Sequence, residues 1–281
     1  FFTKVFRDFG FLEFDEPFTK LFNQGMLHGP DGFVMSKSRG NVVLPEEVSE
    51  KYGMDTARFF LVSIASTDKD IEWSENGIEG SLRFMKSVIE YFGGFKQGKP
   101  DARITSKLNK TVKEVSEDIE NLRYNLAVIK IRSLFDGIIE KQTGKKEAET
   151  FLKLLHPFCP HITEELWHKL GNKTFISLEK WPEADESKIN AEFEKEEEII
   201  ENVIKDVNNV VKIITERGKN VGKLYLYTLP NEKDAYVANS DEIARRTGLK
   251  TKIFSVSDKD KHDPEKKSSK AKPNRPSIFL E

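Results

Sequence analysis

The sequence predicts a mixed fold in three parts: the end of an open α/β domain, an α-helical bundle, and a small α+β domain. Three observations carry that prediction. The stretch Gly32 to Asn41 (Gly-Phe-Val-Met-Ser-Lys-Ser-Arg-Gly-Asn) follows a strand-like run of aromatic and apolar residues, which is where open α/β sheets bind ligands. From about residue 76 to 171, apolar residues recur at helical spacing with short links between runs. Beyond residue 186, one long amphipathic pattern precedes two stretches that alternate as strands do.

In chain order, apolar residues at 1, 2, 5, 6 and 9 predict a helix ending at Gly10. Residues 11 to 18 and 21 to 27, around Pro17, predict a short connection into a strand, with His28 as a loop histidine. Pro45, Glu46 and Glu47 open a helix that stops at Gly53, proline suiting the first turn and acids the positive end of the dipole. Asp55 is expected to cap a second helix carrying Ala57, Phe59, Phe60, Leu61, Val62, Ile64 and Ala65, and to meet Arg58 one turn on. Trp73 reads as a core or interdomain anchor. Leu82, Met85, Val88, Ile89 and Phe92 mark a helix up to Gly93-Gly94. After a turn-rich connector come helices over 104–121, 125–142, 146–156 and 162–170. Leu126, Ile129, Ile131, Leu134, Phe135, Ile138 and Ile139 supply a core.

Pro157 and Pro160 break one helix and precede the next. His156, Cys159, His161 and His168 lack the paired spacing of zinc modules and read as packing. Trp181-Pro182 closes the bundle. A helix over 190–217 stops at Gly218, and a strand over 221–229 ends at Pro230. In that strand Tyr225 and Tyr227 face one way, Leu224 and Leu226 the other. Ser240 is expected to cap a short helix over 241–246, and 249–256 is a second strand. Residues 258–276 are expected to be disordered by composition, with an apolar tip at 278–280 that docks on its own domain or on RNA.

Composition excludes little. The 281 residues have room for two or three domains, and 45 basic against 47 acidic residues leave a net charge of -2. Any RNA surface must therefore be a local patch. Cys159 is the only cysteine, which rules out an intramolecular disulfide and suits a reducing cytoplasm. No apolar run approaches the ~20 residues of a membrane span, and Phe-Phe-Thr-Lys has no signal-peptide organisation. The missing initiator methionine reads as a piece of a longer polypeptide, from a split, processed or cut gene product.

The chemistry concentrates in the ten-residue stretch. Gly32 and Gly40 let the backbone turn, and Ser36, Lys37, Ser38 and Arg39 offer hydroxyl, amide and cationic donors to an anion such as phosphate. A bare Ser-Lys-Ser is more often a polar surface loop. In context, Val34-Met35-Ser36-Lys37-Ser38 followed by Arg39-Gly40-Asn41 resembles the signature loop of class I aminoacyl-tRNA synthetases, with valine at the family's first lysine. The resemblance implies that Lys37 is catalytic, stabilising charge on the ATP phosphates as an amino acid carboxylate attacks the α-phosphate. It also implies that Met35, Ser36, Lys37 and Ser38 bind ATP, that Mg2+ arrives with ATP, and that this chain binds no metal of its own.

Further residues narrow the resemblance. Asp55-Thr56-Ala57-Arg58, Asp70-Ile71-Glu72-Trp73-Ser74 and Gly77 to Phe84 are similar to the leucyl branch at its junction of catalytic and helical domains. Leu155 to Trp167 resembles the anticodon-binding domain of the leucyl, isoleucyl, valyl and methionyl enzymes, and the last domain looks like the archaeal or eukaryotic-type leucyl module that reaches the tRNA corner and variable arm. The implied division is 1–75, the end of a class I Rossmann-like catalytic domain; 76–185, a helical-bundle anticodon-binding domain; and 186–281, an α+β tRNA-binding domain with a charged tail. The implied function is the C-terminal portion of a cytoplasmic leucine-tRNA ligase. Its partners would be tRNA-Leu and the N-terminal catalytic part of the same enzyme, and it would be inactive alone. Charge nominates Arg123, Lys130, Arg132, Arg217, Lys219 and Lys223 for tRNA contact, although solvated helix faces explain them too. A non-catalytic tRNA-binding fragment and an isoleucyl, valyl or methionyl enzyme are the alternatives.

Overall fold

The computed structural model describes every residue except 142, 217 and 219, and, at 140, everything but the side chain. The chain forms two compact units, residues 1–104 with 108–184, and residues 105–107 with 185–281. In the first unit, α1 (Phe2–Asp8) ends before Gly10, whose φ of 77° lies in the left-handed region. None of its residues is buried. Two-residue β1 (Leu27–His28) pairs in parallel with β2 (Ile71–Glu72), and α2 (Pro45–Tyr52) and α3 (Met54–Ile64) form the crossover. Gly25 permits this pairing, because a Cβ there would stand 1.9 Å from the Lys69 carbonyl oxygen.

Asp55 does not cap its own helix. That position falls to Gly53, and Asp55 lies one residue inside α3. Its buried carboxylate instead accepts hydrogen bonds from the Ile162 amide at 2.7 Å and from His161 Nδ1 at 2.8 Å. Arg58, expected to meet Asp55, donates to the Pro157 carbonyl instead. Both residues turn toward the bundle because the α2–α3 corner abuts it.

The bundle comprises α4 (Glu75–Gly93), α5 (Ala102–Glu120), α6 (Tyr124–Glu140), α7 (Lys145–Leu155) and α8 (Pro160–Lys169). Ser74 and Asp101 cap the first two by accepting from Gly77 and Arg103 amides. The core joins Met85, Val88, Phe92, Leu108, Val112, Ile131, Leu134, Phe135, Phe151 and Leu155. On α6 the inward face runs through Ala127, Val128, Ile131, Leu134, Phe135 and Ile138, so Leu126 and Ile129, expected inside, are 40% and 58% exposed.

The second unit begins with α9 (Ala191–Glu216), followed by β3 (Lys223–Thr228), α10 (Lys233–Ala238), α11 (Ser240–Thr247), β4 (Lys250–Ser255) and β5 (Ser277–Leu280). The sheet order is β4-β3-β5, with β3 parallel to β4 and antiparallel to β5. Leu224 and Leu226 pack on Ile200, Val203, Ile204 and Val207 of α9, and Tyr225 and Tyr227 lie on the opposite face with Phe254 and Phe279.

Two expectations fail here. Ser240 makes no cap bond and is the first residue of α11, which follows Asn239. The tail is ordered rather than disordered: the Tyr227 hydroxyl donates to the His262 carbonyl, Asp258 pairs with Lys233 at 2.9 Å, and Asp263 accepts the Lys267 and Ser268 amides. Composition counted only the apolar surface of the tail itself, whereas the tail gains order by covering the tyrosine face of β3. The tip docks on its own domain, as β5. Among the described residues, no helix is long and apolar enough to cross a membrane.

Candidate functional site

The loop of residues 32 to 41 grows directly from β1. The Gly29 amide donates to the Phe33 carbonyl at 2.8 Å and the Met35 amide to the Leu27 carbonyl at 3.0 Å, which folds residues 29–35 back along the strand. His28 belongs to β1, not to a loop. Its Nδ1 lies 2.9 Å from the Gly32 carbonyl oxygen and its Nε2 3.3 Å from Asp70 Oδ2. The Gly32 carbonyl first, and then Asp70, raise its pKa above the usual histidine value.

Asn41 is the hub of the loop. Its Nδ2 donates to Asp31 Oδ1 at 2.9 Å and to the Phe33 and Val34 carbonyls, and its Oδ1 accepts the Ser36 amide at 2.9 Å. The Asn41 amide holds the Asp31 carboxyl below its usual range. Asn41 was visible in the sequence as part of the signature, but no local pattern announces that it binds both ends of the loop.

Between those ends, the Ser36 carbonyl accepts the Arg39 and Gly40 amides at 3.1 Å, closing a turn over Lys37 and Ser38. Gly40 takes the left-handed φ of 71° that ends it. Ser36 and Ser38 bring their hydroxyls within 2.8 Å, and the Arg39 guanidinium sits 4.2 Å from the Phe33 ring centre. Met35 packs inward against the cluster of Val48, Tyr52, Phe60 and Trp73. Lys37 is exposed; its carbonyl accepts the Gly40 amide at 3.3 Å, and its ammonium has no ion-pair or hydrogen-bond partner among the described residues. The structure thus gathers Met35, Ser36, Lys37 and Ser38 on one turn, with a cation and hydroxyls outward and an apolar foot inward. Such a turn can meet a polyanion.

The nominated RNA cations are placed differently. Arg123 and Lys130 converge on the buried Asp118 carboxylate at 2.8 and 2.6 Å, and Glu114 stands 3.7 Å from Lys130, so two acids offset the two cations in place. Arg132 is half-buried, its guanidinium 5.1 and 5.0 Å from the Phe59 and Phe84 rings, and burial lowers its pKa. Lys223 pairs with Glu281 at 3.2 Å. Arg217 and Lys219 lie outside the described residues. A basic groove that the sequence reading missed, about 590 Å³, is lined in the second unit by Lys270, Lys272 and Arg275 beside Asp206 and Asn209. Its signal, the basic run from 267 to 275, lies within the tail whose composition reads as disordered.

The four residues weighed as metal ligands are scattered among other contacts. His156 Nδ1 meets Thr163 Oγ1 at 2.7 Å, His161 meets Asp55, His168 Nδ1 meets the Asn172 carbonyl, and Cys159 is buried beside Met85. Among the described residues, no group of three or more His, Cys, Asp or Glu is placed to hold a metal.

Two family models match this chain: tRNA synthetases class I (I, L, M and V) over residues 10–74, and the anticodon-binding domain of tRNA ligase over 101–220. The leucine–tRNA ligase of Thermosipho melanesiensis is 35% identical across 91% of this chain, and that of Thermotoga maritima 37% across 68%. The chain belongs to the leucyl-tRNA synthetase family. It spans about a third of the length of the first of these relatives (33%) and about a quarter of the second (26%). The synthetase in a LeuRS–tRNA–LeuAMS ternary complex from Agrobacterium radiobacter K84 is similar at a TM-score of 0.60, with 32% identity over 68% of this chain and 28% of that one. The expected archaeal or eukaryotic-type affinity of a leucyl-tRNA synthetase C-terminal module finds no support in these relatives.

Proposed function

We propose that this chain supplies the ATP-phosphate loop and the tRNA-binding domains for ATP-dependent leucylation of tRNA-Leu in the cytoplasm. The observation that carries the reading is Lys37, unpaired and outward on a turn whose two ends Asn41 ties together. In adenylate formation a leucine carboxylate oxygen attacks the α-phosphorus, the bond to the β-phosphate breaks, and pyrophosphate leaves with the electron pair. Lys37 stabilises the charge that develops on the phosphate oxygens, and the Ser36 and Ser38 hydroxyls help orient them. Mg2+ enters as part of the ATP complex.

The division of labour follows segments 1–75, 76–185 and 186–281: loop, anticodon-binding bundle and tRNA-binding module. In the last segment, Lys270 and Lys272, beside Arg275 at 3.9 Å from Asp206, line a groove whose cations would face phosphates. The required partner is the N-terminal catalytic part of the same enzyme. The exposed rings of Phe1, Phe2, Phe9, Phe11 and Phe18 are a surface suited to pack against it.

ATP–pyrophosphate exchange tests the reading. The chain alone is expected to be inactive, and the chain with the N-terminal part active. Lys37→Ala then lowers exchange about 100-fold while the Kd for tRNA-Leu stays within about twofold. Equal losses in both would contradict the role of Lys37, and exchange by the isolated chain would contradict the dependence on a partner.

A further inference from the structure

Met35 and Val43 flank the signature turn, one on each side, and both pack on the same buried cluster of Val48, Tyr52, Ala57, Phe60, Trp73 and Ile78. Two members of this floor, Tyr52 and Trp73, are only 7% exposed yet carry polar atoms that need partners. Both find one in Glu75, the first residue of α4. Its carboxylate accepts the Tyr52 hydroxyl and Trp73 Nε1 at 3.1 Å, and Lys51 Nζ joins at 3.0 Å. One side chain therefore joins the end of α2, the exit of β2 and the start of α4.

Trp73 is held from two further sides. Its amide donates to the His28 carbonyl at 3.0 Å, on the strand that leads into the loop, and its ring meets Phe60 edge-on at 5.3 Å. Glu75 thus ties the floor together from three elements, and among the described residues Met35 and Val43 are the ones beside the turn that pack on it.

We propose that Glu75 is a positioning residue for the signature loop: by clamping Tyr52, Trp73 and Lys51 it fixes the floor under Met35 and Val43, and so where Lys37 stands. The inference rests on the reading above that Lys37 meets ATP phosphates. Glu75 does not touch substrate. A purely local role is the alternative, since an acid in the first turn of α4 also suits the helix dipole.

Hydrogen–deuterium exchange on the 281-residue chain separates the two roles. Glu75→Gln and Tyr52→Phe should each speed exchange across residues 33–43 about fivefold or more, with the amides of α5 to α8 unchanged. Tyr52→Phe leaves the Glu75 charge and α4 intact, so loosening confined to 75–93, or an unmoved loop in both variants, overturns the proposal. With the N-terminal part present, Glu75→Gln should lower kcat for ATP–pyrophosphate exchange about 10- to 100-fold without changing tRNA affinity. A loosened loop with unchanged kcat also overturns it. If the unsubstituted pair shows no exchange activity, the assigned reaction fails while the deuterium result still judges the clamp.

Discussion

Asp55→Ala is expected to be among the most damaging single changes in the first unit. The Asp55 side chain is 3% exposed, accepts the Ile162 amide at 2.7 Å and meets His161 Nδ1 at 2.8 Å, joining α3 to the first turn of α8. An amide at a helix start that loses its side-chain acceptor costs about 0.5–2 kcal/mol. A hydrogen bond involving a charged group contributes about 1.5–3 kcal/mol. Because the two terms overlap, we take about 3 kcal/mol in total. For a unit of this size, about 2–4 °C of Tm per kcal/mol gives a loss of about 6–12 °C. Asp55→Asn, which keeps one acceptor oxygen but not the charge, should lose about half as much. Differential scanning calorimetry of the chain measures both. A fall of under about 2 °C for the alanine variant would refute the argument that this carboxylate holds α3 to α8.

Two further outcomes follow from the titrating groups. Burial pushes the Cys159 thiol far above its ordinary value, so at pH 8 the folded chain should not react with an aromatic disulfide reagent. Unfolding in guanidinium should release its single thiol, and rapid reaction of the folded chain would contradict the packing around Cys159. His28, raised by the Gly32 carbonyl and Asp70, binds its proton more tightly in the folded chain. Its contribution is therefore complete below the ordinary histidine value and fades as pH rises through the folded one. The NMR titration midpoint of His28 should lie above 6.5 and fall only partly in Asp70→Asn, since Gly32 remains; a midpoint at or below 6.5 would contradict the bracing of the loop by His28.

What the sequence disclosed was local. Gly53 and the Gly93-Gly94 pair mark helix ends because left-handed or flexible backbone is written into the residue type. Pro45 and Pro160 mark helix starts for the converse reason. That residues 35–38 share one turn was legible because Gly32 and Gly40 bracket them in the sequence. What stayed hidden depends on partners far along the chain. Asp55 looks like any helix cap until Ile162, more than a hundred residues later, arrives at its carboxylate. Glu75 looks like any first-turn acid until Tyr52 and Trp73 come to it. Arg132 carries the charge of an RNA ligand and the surroundings of a core residue, and composition reports only the first. The tail misled for the same reason, since its order is supplied by a tyrosine face elsewhere.

The placement of β5 has a consequence for synthesis on the ribosome. β3 is the middle strand of β4-β3-β5, yet the segment that fills one of its edges lies about fifty residues downstream, which at ordinary elongation rates takes about 3–10 s to appear. Until β5 docks, α9 and β4 can settle on β3, while the other edge of β3 and its tyrosine face await Ser277–Leu280. A released chain truncated between residues 256 and 276 would present an open strand edge beside an aromatic patch, the kind of surface that neighbouring chains invade.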